Sequence, residues 1–184
     1  MRDTKFWTAR GAVLVITVYV PIGVFFVSGR LFKCSLDHSK CQFFKALNAI
    51  FSKVGRFASE AVVLNSIRTK CLPILMYCVE SCPLVIRDKR SLEFTVTRSL
   101  IKLFKTGSAA VISDCQKFFG FLSITYQIDI RTARFLEIFM TSDNGICMLF
   151  ERHAKIGGNK IFSRYGDVHS VSDLRCAIDE LFFC

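Results

Sequence analysis

From Gly11 to Val27 the chain reads GAVLVITVYVPIGVFFV, an apolar run of seventeen residues without a charge. Further on, the pattern turns helical. In SLDHSKCQFFKALNAIFSKVG, Phe43, Leu47, Ile50, Phe51 and Val54 recur every three or four residues, while Lys40, Lys45 and Lys53 fall elsewhere. Gly55 is a stop signal. A second helix opens at Ser59, an N-cap residue type, with Glu60 in the first turn, where a negative charge faces the positive end of the helix dipole. Ile67, Cys71, Ile74, Leu75 and Cys78 make its apolar stripe. Pro73 lies inside that stripe and predicts a kink or two abutting helices; Pro83 ends the run.

The clearest amphipathic stretch is LVIRDKRSLEFTVTRSLIKLFKTGS. At 100° per residue, Val85, Leu92, Val96 and Leu103 share one face, flanked by Leu100 and Phe104. Arg87, Arg98, Lys102 and Lys105 gather on the opposite face, with Phe94 and Ile101 near them. Gly107 ends this helix. A short helix follows from Ser108 to Phe119, closed by Gly120. The next carries Ile128, Phe135, Leu136 and Phe139 in step. NGICMLFERHAK predicts a helix ending before Gly157-Gly158, with a polar loop to Ser170. The last helix has Ser172 as its N-cap and Leu174, Ile178 and Leu181 on one face.

The fold class expected is therefore mainly α, a helical bundle of five to seven helices with a short N-terminal β-hairpin. The apolar run decides the N-terminus. A positive segment, MRDTKFWTAR, precedes it and VSG follows at 27–29, as in an anchor or signal sequence. Against a span, seventeen residues is the short limit, and Pro21 and Gly23 interrupt it. Val13, Val15, Ile16, Thr17, Val18, Val20, Ile22 and Val24 are β-branched, which favours two strands turned at Pro21-Ile22-Gly23.

Charge sharpens the picture. The net charge of +10 is concentrated centrally: residues 30–105 hold fourteen basic and five acidic residues, and residues 106–184 hold eight and nine. Such a stretch suits a polyanion or an anionic membrane surface. On the basic helix face, Arg and Lys one or two turns apart can track a phosphate backbone, and a neighbouring Phe can stack or wedge. The nine cysteines show no disulfide plan and read as reduced thiols. Cys34, His38 and Cys41 would share a face of one continuous helix, yet no fourth ligand is evident, so no metal site is assigned. Cys78 and Cys82 lack the C-x-x-C spacing. No G-x-S-x-G, Walker A or G-x-G-x-x-G motif occurs, and the adjacent acidic pair Asp179-Glu180 lies in the terminal helix. These absences assign no catalytic residue and no cofactor.

Four blocks in order resemble the region after the catalytic palm in non-LTR (LINE-type) retrotransposon reverse transcriptases. IGVFFVSGRLF is similar to the family's strand that opens the thumb, and FKALNAIFSKVGRFASEAVVLNSIRTKCLPILMYCVESCPL to its first thumb helices. RSLEFTVTRSLIKLFKTGS and DCQKFFGF follow, so the resemblance covers roughly residues 22–140. There are departures: Pro21-Ile22 precedes Gly23-Val24 where the family has an aromatic and Leu, and Tyr77-Cys78-Val79-Glu80 stands for Tyr-Gly-x-Glu. The family's Tyr/Phe-Ala-Asp-Asp turn, which holds its catalytic metals, does not occur in these 184 residues.

The resemblance implies an apolar strand segment at 1–29, a thumb-like helical domain at 30–141 and a C-terminal helical tail at 142–184. It implies no polymerase activity by this chain alone. It also implies primer–template binding, to a DNA or RNA–DNA duplex, through Arg87, Arg98, Lys102 and Lys105. A cytoplasmic or nuclear location goes with that reading. The alternative is a membrane-anchored or secreted protein that uses residues 11–27. Without a palm to cover it, an exposed apolar surface is expected to favour self-association.

Overall fold

The computed structural model describes residues 25–27, 33–54, 57–166 and 168–183. It is mainly α, with a short hairpin at its N-terminal side. Strand β1 (Phe25–Val27) pairs antiparallel with β2 (Lys33–Ser35), with Phe26 opposite Cys34. The expected strand pair at 11–27 falls mostly outside the described residues. Where the chain is described, the end of the apolar run pairs with a segment beyond Gly29 instead. Lys-Cys-Ser has no alternating apolar pattern, so only its partner across the turn makes it a strand.

Helix α1 spans Asp37–Lys53 and sinks Phe43 and Leu47 into the core. Then α2 (Glu60–Ser66), a π-turn (Ile67–Cys71) and α3 (Leu72–Leu75) form one continuous run. Pro73 has no N–H to give to Thr69, and its ring crowds that carbonyl. The chain absorbs the conflict in the wider π-turn just before α3, so the expected kink has its physical cause at Pro73. By length and composition Glu60–Ser81 could cross a membrane, but Val63, Ile67, Cys71, Leu75 and Val79 on it are core residues.

Helix α4 (Ile86–Phe104) buries Leu92, Val96, Leu100 and Leu103. Thr95 and Ser99 are buried with them, their hydroxyls donating to the carbonyls of Ser91 and Val96 at 2.8 and 2.6 Å. Val85 does not join that apolar face. It is the N-cap, 57% exposed, and its N–H donates to Asp88 Oδ2 at 3.3 Å. Helix α5 (Ala109–Phe118) ends at Gly120 in a left-handed conformation, φ 58°, which glycine adopts without strain.

Helices α6 (Ile124–Met140), α7 (Gly145–Phe162) and α8 (Val171–Phe183) complete the chain. Two apolar clusters result. The first runs from Leu36 to Ile128; the second joins Ile130, Ala133, Ile161, Val168, Leu174 and Ile178. Helix α6 contributes to both.

Three expectations fail in this second part. Helix α7 does not stop before Gly157-Gly158 but continues to Phe162. Neither glycine takes a positive φ, unlike Gly120 and Gly166. A helical glycine costs only about 1 kcal/mol against alanine, and burial of Ala154, Gly158 and Ile161 against α6 outweighs it. In α8 the cap is Ser170, not Ser172: Ser170 Oγ accepts from Asp173 N at 3.1 Å. Phe182, not Leu181, completes the buried face with Leu174 and Ile178, packing edge-on against Tyr126; Leu181 is 61% exposed.

Candidate nucleic-acid interface

Burial of Leu92, Val96, Leu100 and Leu103 fixes how α4 is rotated, so its opposite face is turned outward. Arg87, Arg98 and Lys102 are exposed on that outward face, and Lys105 is exposed just past the helix end. Phe94 is among them and 61% exposed, while Ile101 is half-buried against the first cluster. Arg87 to Lys105 spans eighteen residues, so the stripe is about 27 Å long at 1.5 Å per residue. Arg98 lies over the Phe94 ring, 5.7 Å from its centroid. This contact keeps the ring within a cationic surface instead of burying it.

Helix α1 supplies a shoulder. Lys102 Nζ donates to Asn48 Oδ1 at 3.1 Å and sits over the Phe51 ring at 4.8 Å. Lys40 Nζ reaches Ser91 Oγ at 3.0 Å and pairs with Asp37 at 3.1 Å. Two of α4's polar positions are thus held by α1, and exposed Lys45 and Lys53 belong to the same helix. Sequence spacing within α4 could not show this, because the contacts cross between helices. Arg90 was also missed; it is exposed and 60° from Arg87 on the helix wheel.

The acidic residues of α4 are engaged elsewhere. Glu93 Oε2 accepts from Ser123 Oγ at 2.8 Å and from Thr125 N at 3.1 Å, so it caps the N-terminus of α6. Asp88 caps α4 itself. Neither carboxylate opposes the basic stripe. At its far end Lys105 adopts the left-handed conformation, φ 52°, as the C-cap residue. Gly107 was expected to end this helix, yet the turn is made two residues earlier and at some steric cost. A lysine there faces the negative end of the helix dipole, which offsets part of that cost. Beyond it, Phe104 stacks on Phe119 at 5.7 Å, Phe119 meets Phe118 edge-on at 5.0 Å, and Phe118 is 84% exposed. The adjacent Phe118-Phe119 pair was the only sequence sign of that second exposed ring.

The thiols do not assemble as one helical face. Cys34 is on β2, whereas His38 and Cys41 are on α1. Burial, and then the neighbouring Cys34, push the Cys82 thiol well above its ordinary range. Among the described residues, no group of three His, Cys, Asp or Glu is placed to hold a metal ion.

One polar cluster was not foreseen. Asp129 of α6 is buried, 2% exposed, and pairs with Lys89 of α4 and with Arg164 at 2.9 Å. Tyr165 O–H donates to the same carboxylate at 2.8 Å. Burial, and then Asp129, push the Tyr165 phenol well above its ordinary range. Two cations and a hydroxyl satisfy one buried carboxylate, tying α4, α6 and the end of α7 together. No family model, curated protein or solved structure matches this chain.

Proposed function

We propose that this chain is a thumb-like, catalytically inert relative of LINE-type reverse transcriptases, and that it binds a nucleic-acid duplex through the outward face of α4. The observation that carries the reading is exposed Phe94 set among Arg87, Arg98 and Lys102 on one helix face, with Lys105 just past its end. A phosphate-binding helix gains from both, since the cations meet phosphates and the ring can stack or wedge. The ordered sequence blocks supply independent support, and the duplex is DNA or an RNA–DNA hybrid.

Filter binding of both duplexes, titrated with salt, tests this. Binding is expected at low salt and should weaken steeply as salt rises. The double substitution Arg98→Ala with Lys102→Ala should reduce the salt slope by about two, since each phosphate contact contributes roughly 0.9 to it. Binding that is flat across salt, or unchanged in the double variant, would sink the proposal. Primer extension with added magnesium should give no product.

A further inference from the structure

Helix α7 leaves a different face uncovered. Ile146, Leu149 and Ile156 on it are 67%, 76% and 58% exposed, and His153 and Lys160 are exposed with them. These five positions are spaced three, four, three and four residues apart, the spacing of a coiled-coil seam. Phe150 flanks the seam, 48% exposed, its ring 6.1 Å from that of His153. The opposite face, with Ala154, Gly158 and Ile161, is buried in the second cluster.

The geometry points to a second copy of this chain as the occupant, docked through α7 in an antiparallel homodimer. Charge decides the direction. A parallel pair would stack Lys160 on Lys160 and His153 on His153, which is unfavourable. An antiparallel pair instead sets Ile146 against Ile156 of the other copy and Leu149 against His153. It brings Lys160 to the start of the opposing helix, next to Asp143, and sets the two Phe150 rings side by side near the two-fold axis. The two Arg152 side chains meet on the other edge; both are exposed, so water and salt screen them and the cost is small. The seam is self-complementary, as a two-fold interface must be. Ile146 to Lys160 covers about 21 Å of helix, and the five seam residues with Phe150 are far fewer than the roughly 20–30 residues a side of a standard interface. The dimer is therefore weak and concentration-dependent.

Sedimentation of the full chain over rising concentration tests the proposal. The wild type should shift from monomer to dimer mass, and Leu149→Asp and Ile156→Asp should each raise the dissociation constant at least tenfold while circular dichroism stays unchanged. Lys160→Asp alone should weaken the dimer several-fold, and adding Asp143→Lys should restore it. Phe150→Cys should cross-link to its own copy under mild oxidation, with the disulfide between the two substituted positions located by peptide mass spectrometry; Ile146→Cys should not. Four results would overturn the inference. They are a monomer at every concentration, a dimer indifferent to both aspartates, unfolding by Leu149→Asp (the face is then covered within the chain), and binding of anionic vesicles by a monomer that Leu149→Asp abolishes.

Discussion

Helices α4 and α7 are nearly equal in length, nineteen and eighteen residues, and each buries one face. They differ in what remains outside. Helix α4 shows water Arg87, Arg98, Lys102 and Lys105 around one ring; α7 shows it Ile146, Leu149 and Ile156. The buried faces differ in size, large aliphatics with Thr95 and Ser99 on α4 against Ala154, Gly158 and Ile161 on α7, but both serve packing. The outward faces differ in chemistry, and the charge follows it: the excess of basic residues lies before residue 106 and vanishes after it. If the contrast holds, a polyanion takes the first face and an apolar helix the second.

The strongest way to break this arrangement is through the residue that joins the two regions. Asp129→Ala leaves Lys89 and Arg164 facing each other without the carboxylate between them. Removing one partner of a buried charge network costs about 3–5 kcal/mol, which urea unfolding would measure. The loss should exceed that of either Lys89→Met or Arg164→Met, because each of those leaves Asp129 one cation. A loss below about 1 kcal/mol would mean that water already reaches the cluster and that the two regions are held by apolar packing alone.

Alkaline pH separates the two regions by their buried acids. In the first, burial pushes the Cys71 thiol from 9.0 up to about 11. In the second, Tyr165 is raised above its ordinary 10.0. Both groups are neutral when protonated, so the folded state keeps the proton that the unfolded chain gives up. Their stability is full below the unfolded pKa and is lost as pH rises through the folded one. Stability should therefore begin to fall near pH 9 through Cys71 and Cys82, and fall further above pH 10 through Tyr165. Two pKa units correspond to about 3 kcal/mol for Cys71. Chemical denaturation at stepped pH checks this. Cys71→Ala and Cys82→Ala should each remove part of the slope between pH 9 and 10, and Tyr165→Phe only part of the slope above it. One shared slope insensitive to Cys71→Ala would refute the assignment.

The same contrast shows what can be read in the chain. The basic face of α4 was legible because Arg87, Phe94, Arg98 and Lys102 are related by the 3.6-residue period, a local property, whereas Lys105 lies past the helix end. The break in helix type next to Pro73 was legible because its cause, a missing N–H, is local too. Three features were not. β2 is a strand only because β1 lies beside it. Asp129 sits among isoleucines, and its three partners are 35 to 40 residues away. The Gly157-Gly158 stop failed because glycine permits a positive φ without requiring it, and packing on α6 decided otherwise. What was missed in each case was a contact with another element of the chain.

That glycine pair supplies a smaller test. A Cβ on Gly158 would meet only Phe162 Cε2, at 3.9 Å, an ordinary contact. If α7 is a regular helix there, Gly158→Ala should stabilise the protein by about 0.5–1 kcal/mol through a less flexible unfolded chain. Destabilisation would mean that the chain turns at Gly157-Gly158 after all, and the α7 seam would lose its lower end.

The smallest effects on stability are the most informative about the outward faces. Phe94 and Leu149 are 61% and 76% exposed, so truncating either to alanine should change unfolding free energy by less than about 0.5 kcal/mol. Their consequences should then diverge. Phe94→Ala should weaken duplex binding about tenfold, as expected for one lost base or sugar stack of roughly 1–3 kcal/mol, and leave sedimentation unchanged. Leu149→Ala should weaken self-association and leave duplex binding at fixed protein concentration nearly intact. If Phe94→Ala alters both, the basic face is itself part of the dimer contact and the two helices do not divide the work. If neither variant alters either property while stability also holds, both faces are ordinary surface, and the exposed rings and isoleucines need no partner.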